Sequence, residues 1–223
     1  MNLQIAGTSF CFRLAESEVN RNKKTLFATH LWEGAKILTL KLLTDFSDLI
    51  RDKTVVEFGA AAGLPSLGAI SAGARLVIAT DYPAEQVLST LQLNITSHSS
   101  SSSSLSTLSI THVVEHIWGQ SCQMLLALNN NEALDVALAS ECLWRHELHA
   151  DLVYSLKGCL RIGGLAFVSF THHFPGREEK DLEFFSIADT AGLETVEKIT
   201  QKGKHMWSDR VVDVKIYILR RRD

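Results

Sequence analysis

Two acids close together in the chain each sit at the end of an apolar run, where a strand would deliver a side chain to a ligand. In VVEFGAAAGLP (55–65), Glu57 precedes a turn of small residues in which Gly59 and Gly63 enclose three alanines. In RLVIATDYP, Asp81 ends the apolar stretch 22 positions beyond Gly59 (81 − 59). A turn of small residues after a strand lets a ligand approach the backbone, and its N–H groups and the helix start behind it favour a negatively charged group. An ionised aspartate only accepts hydrogen bonds, so Asp81 can take both protons of a ribose diol. The pair therefore points to an adenosine-containing cofactor. The turn has two glycines rather than G-x-G-x-x-G, and Glu57 is awkward beside a pyrophosphate. It is tolerable beside a cation, where it acts either as a contact or as a helper that orders the turn.

Other reactive residues are less pointed. His146 and His149 in HELH are not spaced as H-E-x-x-H and read as an exposed helix start. His172 and His173 follow an apolar run, so they face the ligand end, either against substrate or in solvent. No Ser/His/Asp or Cys/His set falls at comparable strand ends, which sets hydrolase chemistry aside. The four cysteines, Cys11, Cys122, Cys142 and Cys159, include no C-x-x-C pair, so neither a zinc knuckle nor a redox motif is supported.

The elements needed to hold these residues are legible from periodicity. Strands are expected at 54–58, 75–80, 110–118, 134–139, 165–170, 193–200 and 211–219. Helices are expected at 32–43, 64–72, 84–95, 146–160 and 178–191, with a Gly163-Gly164 turn after the fourth of these and Gly192 after the fifth. Alternation of strand and helix implies crossover connections and a parallel sheet. The last two strands are joined by the polar QKGKHMWSDR, read as a loop, so the sheet should end in an antiparallel hairpin. The expectation is an α/β, Rossmann-like fold: a seven-stranded, mostly parallel sheet with helices on both faces. One domain should span 1–223, with an N-terminal extension and helix over 1–50, the core over 51–223, and a serine-rich surface loop over 97–106.

The composition suits such a domain: 223 residues, 46% apolar, 21% charged, net charge −3. That charge gives no reason to expect nucleic acid or an anionic membrane, and Arg220-Arg221-Arg222 reads as a solvated tail. The N-terminus has Glu16 and Glu18 and no long apolar stretch, so it does not read as a signal peptide. A cytoplasmic, monomeric protein is expected.

The string VVEFGAAAGLPSLGAISAGARLVIATDYP resembles the class I, seven-strand S-adenosylmethionine-dependent methyltransferases, and within them the nicotinamide N-methyltransferase-like branch. That branch includes fungal lysine and N-terminal methyltransferases acting on elongation factor 1-alpha. The similarity takes in HLWEGAKIL, Trp118-Gly119, DVALASECLW and THHFPGREEKDLEFF. By position, the resemblance implies that Trp32 joins the cofactor pocket and that Gly59, Ala60 and Ala61 surround the methionine end. It places Asp81 on the ribose, Tyr82 near the adenine, Trp118 packed on the adenine and Ser140 completing the site. Glu141 stands where the branch commonly has Asp. Glu141 and Trp144 are the catalytic candidates, as a carboxylate and a wall for an amine that must lose its proton before accepting a methyl group. S-adenosyl-L-methionine is the implied cofactor. The implied substrate is a protein lysine or N-terminal amine. The alternatives are a small N- or O-nucleophile, or a cofactor-binding protein without transfer.

Overall fold

A computed structural model describes residues 1–15, 27–101, 109–205 and 210–223. A short hairpin, β1 (Asn2–Ile5) and β2 (Thr8–Cys11), comes first, followed by α1 (Glu33–Leu43) and α2 (Ser47–Ile50). The alternating core then runs β3 (Thr54–Phe58), α3 (Leu64–Ser71), β4 (Leu76–Asp81), α4 (Glu85–Ser101), β5 (Ile110–Glu115), α5 (Gln123–Ala127) and β6 (Leu134–Ser140). It continues with α6 (His149–Cys159), β7 (Leu160–Phe170), α7 (Glu178–Thr190), β8 (Leu193–Lys204) and β9 (Val211–Arg221).

Strands β3 to β9 form one sheet in the order β5-β4-β3-β6-β7-β9-β8. Pairings from β5 through β7 are parallel, while β9 runs antiparallel to both β7 and β8. This is the sheet expected from the sequence. The order reverses at β3: β4 and β5 build outward on one side, and β6 returns to the other. Ligand crevices in open parallel sheets form at such a reversal, outside the carboxyl ends of the strands.

Both faces of the sheet are covered, so strand residues alternate between two apolar cores. Val55, Val77, Val136, Phe167 and Ile216 pack with Leu38, Leu42 and Phe46 of the α1–α2 segment and Ala69 of α3. Val56, Phe58, Ile78, Ala137 and Val168 face the opposite way, onto Leu125 of α5, Leu152 and Leu156 of α6, and Phe184 of α7. Full burial of each large side chain contributes roughly 1.5–3 kcal/mol.

Five local expectations are corrected. The serine-rich stretch is not loop from residue 97: α4 runs to Ser101, and His98 within it is buried, hydrogen-bonded to Ser71 Oγ at 2.9 Å. The rest of that stretch lies outside the described residues. The third core strand stops at Glu115, leaving Trp118 in a turn. The last hairpin uses part of the presumed loop, because Gln201–Lys204 pair with Val211–Val214, and Gly163-Gly164 lie inside β7 rather than in a turn. The C-terminal arginines are not all free in solvent either: Arg221 donates to the carbonyls of Lys157, at 2.9 Å, and Leu160.

The β1–β2 hairpin has no counterpart among the expected elements. It brings Phe10 and Phe12 into a third apolar cluster with Ala60, Ala62, Leu91 and Ile95, directly behind the Gly59–Gly63 turn. Asn94 of α4 fixes it there, accepting from Arg13 N–H at 2.7 Å and donating to the carbonyls of Arg13 and Ala62.

Candidate functional site

The crevice is built from the ends of β3, β4, β6 and β7. The turn after β3 uses left-handed backbone at Gly59 (φ +69°), Ala61 (φ +48°) and Gly63 (φ +80°). Gly59 is needed for space as well as for φ: a Cβ there would lie 3.0 Å from Cys142 Sγ and 3.3 Å from the Trp118 ring. The N–H groups expected to receive an anion are largely engaged inside the protein. Ala60 N–H donates to Thr80 O (2.9 Å), Gly63 N–H to Ala60 O (2.6 Å) and Ala61 N–H to Asp81 Oδ2 (2.7 Å).

Glu57 explains the rest of that correction. It is fully buried and its Oε2 accepts from Ser66 N–H at 2.9 Å and from Ser66 Oγ, capping the first turn of α3. It is the helper reading of Glu57 that the geometry matches. Burial pushes its carboxyl up to about 8, with Ser66 opposing and Asp81 adding to the rise. Its Oε1 has no partner among the described residues.

Asp81 is held by the backbone on both oxygens, Oδ2 by Ala61 N–H and Oδ1 by Tyr82 N–H, each at 2.7 Å. Burial raises its pKa against the pull of those two donors. Each oxygen keeps acceptor capacity for a further donor, which is the arrangement a diol requires. Tyr82 beside it is 59% exposed, on the rim. Trp118 is half-buried against the core. Ser140 accepts from Ser169 Oγ at 2.9 Å across the β6–β7 pair.

Glu141 is the most heavily bonded residue of the crevice. Its backbone is left-handed (φ +56°), an uncommon state for a non-glycine, and its N–H donates to Ser169 O at 2.7 Å. Its buried carboxylate accepts from Gly34 N–H (2.8 Å) near the start of α1 and from Thr171 N–H (3.0 Å) after β7. Thr171 Oγ1 and His173 Nε2, the latter at 2.8 Å, complete the set. Trp32, at the N-cap of α1, meets the His173 ring edge-on with centroids 4.7 Å apart. Trp32, Glu141 and His173 are thus brought together. Trp144 is half-buried and carries the Arg145 guanidinium over its ring at 5.2 Å.

The histidines of HELH do not form an exposed helix start. His149 is buried and its Nε2 lies 2.8 Å from Leu143 O. His146 Nε2 and His172 Nδ1 each lie 2.7 Å from one oxygen of Asp181, which is buried at the start of α7. Gly34, Thr171 and Asp181 were not singled out from the sequence. Gly34 stands inside HLWEGAKIL and Asp181 inside EEKDLEFF, but nothing local reveals their distant partners.

The electrostatic character follows. Glu57, Asp81 and Glu141, from three adjacent strand ends, all act on the buried Cys142 thiol between them, whose pKa is driven up by burial first and then by these three acids. With Glu57 turned inward onto Ser66, it is Asp81 beside the turn and Glu141 after β6 that disfavour a pyrophosphate here and suit a cationic ligand with a ribose diol. S-adenosylmethionine, with its sulfonium and amine, matches that donor set.

Comparison with known proteins agrees. The family model described as lysine methyltransferase matches residues 15–191. The protein N-terminal and lysine N-methyltransferase EFM7 of Gibberella zeae is 35% identical over 184 residues, covering 78% of this chain and 69% of that protein. Its namesake in Schizosaccharomyces pombe is 31% identical, covering 80% and 69%. In fold, the crystal structure of a methyltransferase from Pyrococcus furiosus aligns with a TM-score of 0.55 at 14% identity, covering 83% of each chain. The chain belongs to the lysine methyltransferase family, and S-adenosylmethionine is its cofactor.

Proposed function

We propose that the chain methylates amine nitrogen on a protein substrate, a lysine side chain or an N-terminal amine. The observation that carries this reading is the grouping at adjacent strand ends of Asp81 beside the turn with Glu141, His173 and Trp32. The relatives support it, being named protein N-terminal and lysine N-methyltransferases. Within the crevice, Asp81 holds the ribose, Tyr82 and Trp118 flank the adenine, and Gly59, Ala60 and Ala61 surround the methionine end. Trp32 and Ser140 complete the cofactor side. When bound, the cofactor supplies an activated methyl group, so the protein's task is alignment and control of a proton.

An ammonium with a pKa near ~10.4 is almost fully protonated at neutral pH and cannot attack. The aromatic surfaces of Trp32 and Trp144 desolvate it and favour the neutral amine. Glu141, with its hydrogen bonds already directed at Gly34, Thr171 and His173, holds the acceptor side of the crevice in place rather than meeting the amine itself. Tyr82 and Phe174, 59% and 44% exposed, offer apolar contacts on the rim for a protein.

We further propose a cytoplasmic, monomeric enzyme, with translation elongation factor 1-alpha as the first substrate to test. Among the described residues no helix is long and apolar enough to cross a membrane. Incubation with labelled S-adenosylmethionine and a same-species lysate, beside purified elongation factor 1-alpha, tests both readings. Label on lysine or on an N-terminal amine, located by mass spectrometry, is the expected result. Label confined to small molecules would overturn the protein substrate.

A further inference from the structure

We infer that His173 is the proton acceptor for the substrate amine, oriented by Glu141. This rests on the amine reading above and adds to it the group that removes the proton.

The geometry separates His173 from the other histidines at this end of the sheet. His146 and His172 are both turned onto Asp181, and His149 onto the Leu143 carbonyl. These contacts tie the segment after β6 to the segment after β7 and to α7. His173 points elsewhere. Its Nε2 lies 2.8 Å from Glu141 Oε2, with Thr171 Oγ1 at 3.3 Å, and its ring meets Trp32. A carboxylate only accepts, so Nε2 carries the hydrogen and Nδ1 carries the lone pair. Nδ1 has no partner among the described residues, and the side chain keeps 19% of its surface exposed. The imidazole therefore presents a basic nitrogen whose opposite face is locked by a buried acid.

Its position is equally specific. Cofactor residues lie at the ends of β4 and β3, Glu141 follows β6, and His173 follows β7, the next strand along. Trp32 joins the two halves, since it belongs to the cofactor pocket and covers the His173 ring. The charged and titratable groups placed around His173 among the described residues are these. Glu141 faces it from β6, His30 lies beyond Trp32 from before α1, and neighbouring His172 is directed to Asp181.

The step balances simply. Neutral His173 takes a proton from R–NH₃⁺ at Nδ1, leaving R–NH₂ and an imidazolium paired with Glu141. The amine lone pair forms the N–C bond as the C–S bond breaks, its electrons passing to sulfur and neutralising the sulfonium. The imidazolium then returns its proton to solvent. Trp32, against the His173 ring, desolvates the ammonium and so favours release of its proton.

His173→Gln is the informative variant, because its Nε2 amide still donates to Glu141 while the basic nitrogen is gone. Single-turnover methylation of the lysate protein labelled by the wild type should fall about 10²-fold or more at pH 7. The loss should shrink as pH rises towards the pKa of the amine, and affinity for S-adenosylhomocysteine should stay within about threefold. Nitrogen-15 spectra of the wild-type imidazoles give a second readout that needs no variant and no activity: His173 should be the Nε2–H tautomer at neutral pH. Rates and pH profile unchanged in His173→Gln, or an Nδ1–H tautomer, would overturn the base and leave the amine substrate standing. A wild type that labels no amine would overturn the amine reading and the base together.

Discussion

Glu57 makes the protein's stability fall with rising pH over a defined window. Its carboxyl is raised from an ordinary 4.5 to about 8 by burial, and one oxygen has no partner among the described residues. Between those values the folded protein holds a proton that the unfolded chain has released. Stability therefore declines as pH rises from 4.5 to about 8 and then levels off. At about 1.4 kcal/mol per pH unit, the full window amounts to about 5 kcal/mol as an upper bound. Glu57→Gln removes the titration and keeps a carbonyl oxygen to accept from Ser66. Its stability relative to wild type should improve by several kcal/mol between pH 5 and pH 8.5, measured by urea denaturation of cofactor-free protein. The histidines whose pKa values burial lowers, His98, His116 and His149, act in the opposite sense and cancel in the comparison. Parallel pH profiles, within about 0.5 kcal/mol, would refute the argument that an uncompensated acid sits beneath the turn.

Asp81→Ala should leave the fold intact and weaken S-adenosylhomocysteine about 10²-fold or more by calorimetry, since charge-assisted bonds contribute about 1.5–3 kcal/mol each. An affinity within threefold of wild type would mean the ribose lies elsewhere. Gly34→Ala puts a methyl group against the Glu141 carboxylate, 2.8 Å from its Cδ and 2.9 Å from its Cγ. A net loss of about 1–3 kcal/mol is expected despite the better helix propensity of alanine, together with slower methyl transfer. A variant that melts higher than wild type would show that Glu141 yields freely. His98→Ala removes a ring stacked on Phe10 at 5.4 Å and bonded to Ser71, and should cost about 1–2 kcal/mol in thermal or urea unfolding. An unchanged transition would mean that the N-terminal hairpin is not anchored there.

Periodicity alone carried the sheet, because β-branched runs such as TVVEF and RLVIAT alternate with helical patterns and a parallel sheet is the packing such a sequence allows. The same local logic reached Asp81 and the Gly59 turn: a residue ending a strand must emerge at the crevice, and a small residue must stand where the backbone turns. It did not reach the β1–β2 hairpin, whose four-residue strands are too short for a pattern and are held by Asn94, 81 residues away from Arg13. Nor did it reach the helical state of Ser99–Ser101, where low propensity is overridden by a helix anchored through Leu91, Ile95 and His98. Glu141 shows the limit most clearly. Its type and place after β6 were legible, and a carboxylate serving the amine was the expectation. Its partners were decided by tertiary structure, because left-handed backbone at that residue accompanies a side chain that reaches Gly34, 107 positions earlier, and His173, 32 positions later. A buried charge takes whatever donors the fold brings within reach, and which donors those are depends on how helices and strand ends close over the sheet, not on the residues beside it in the chain.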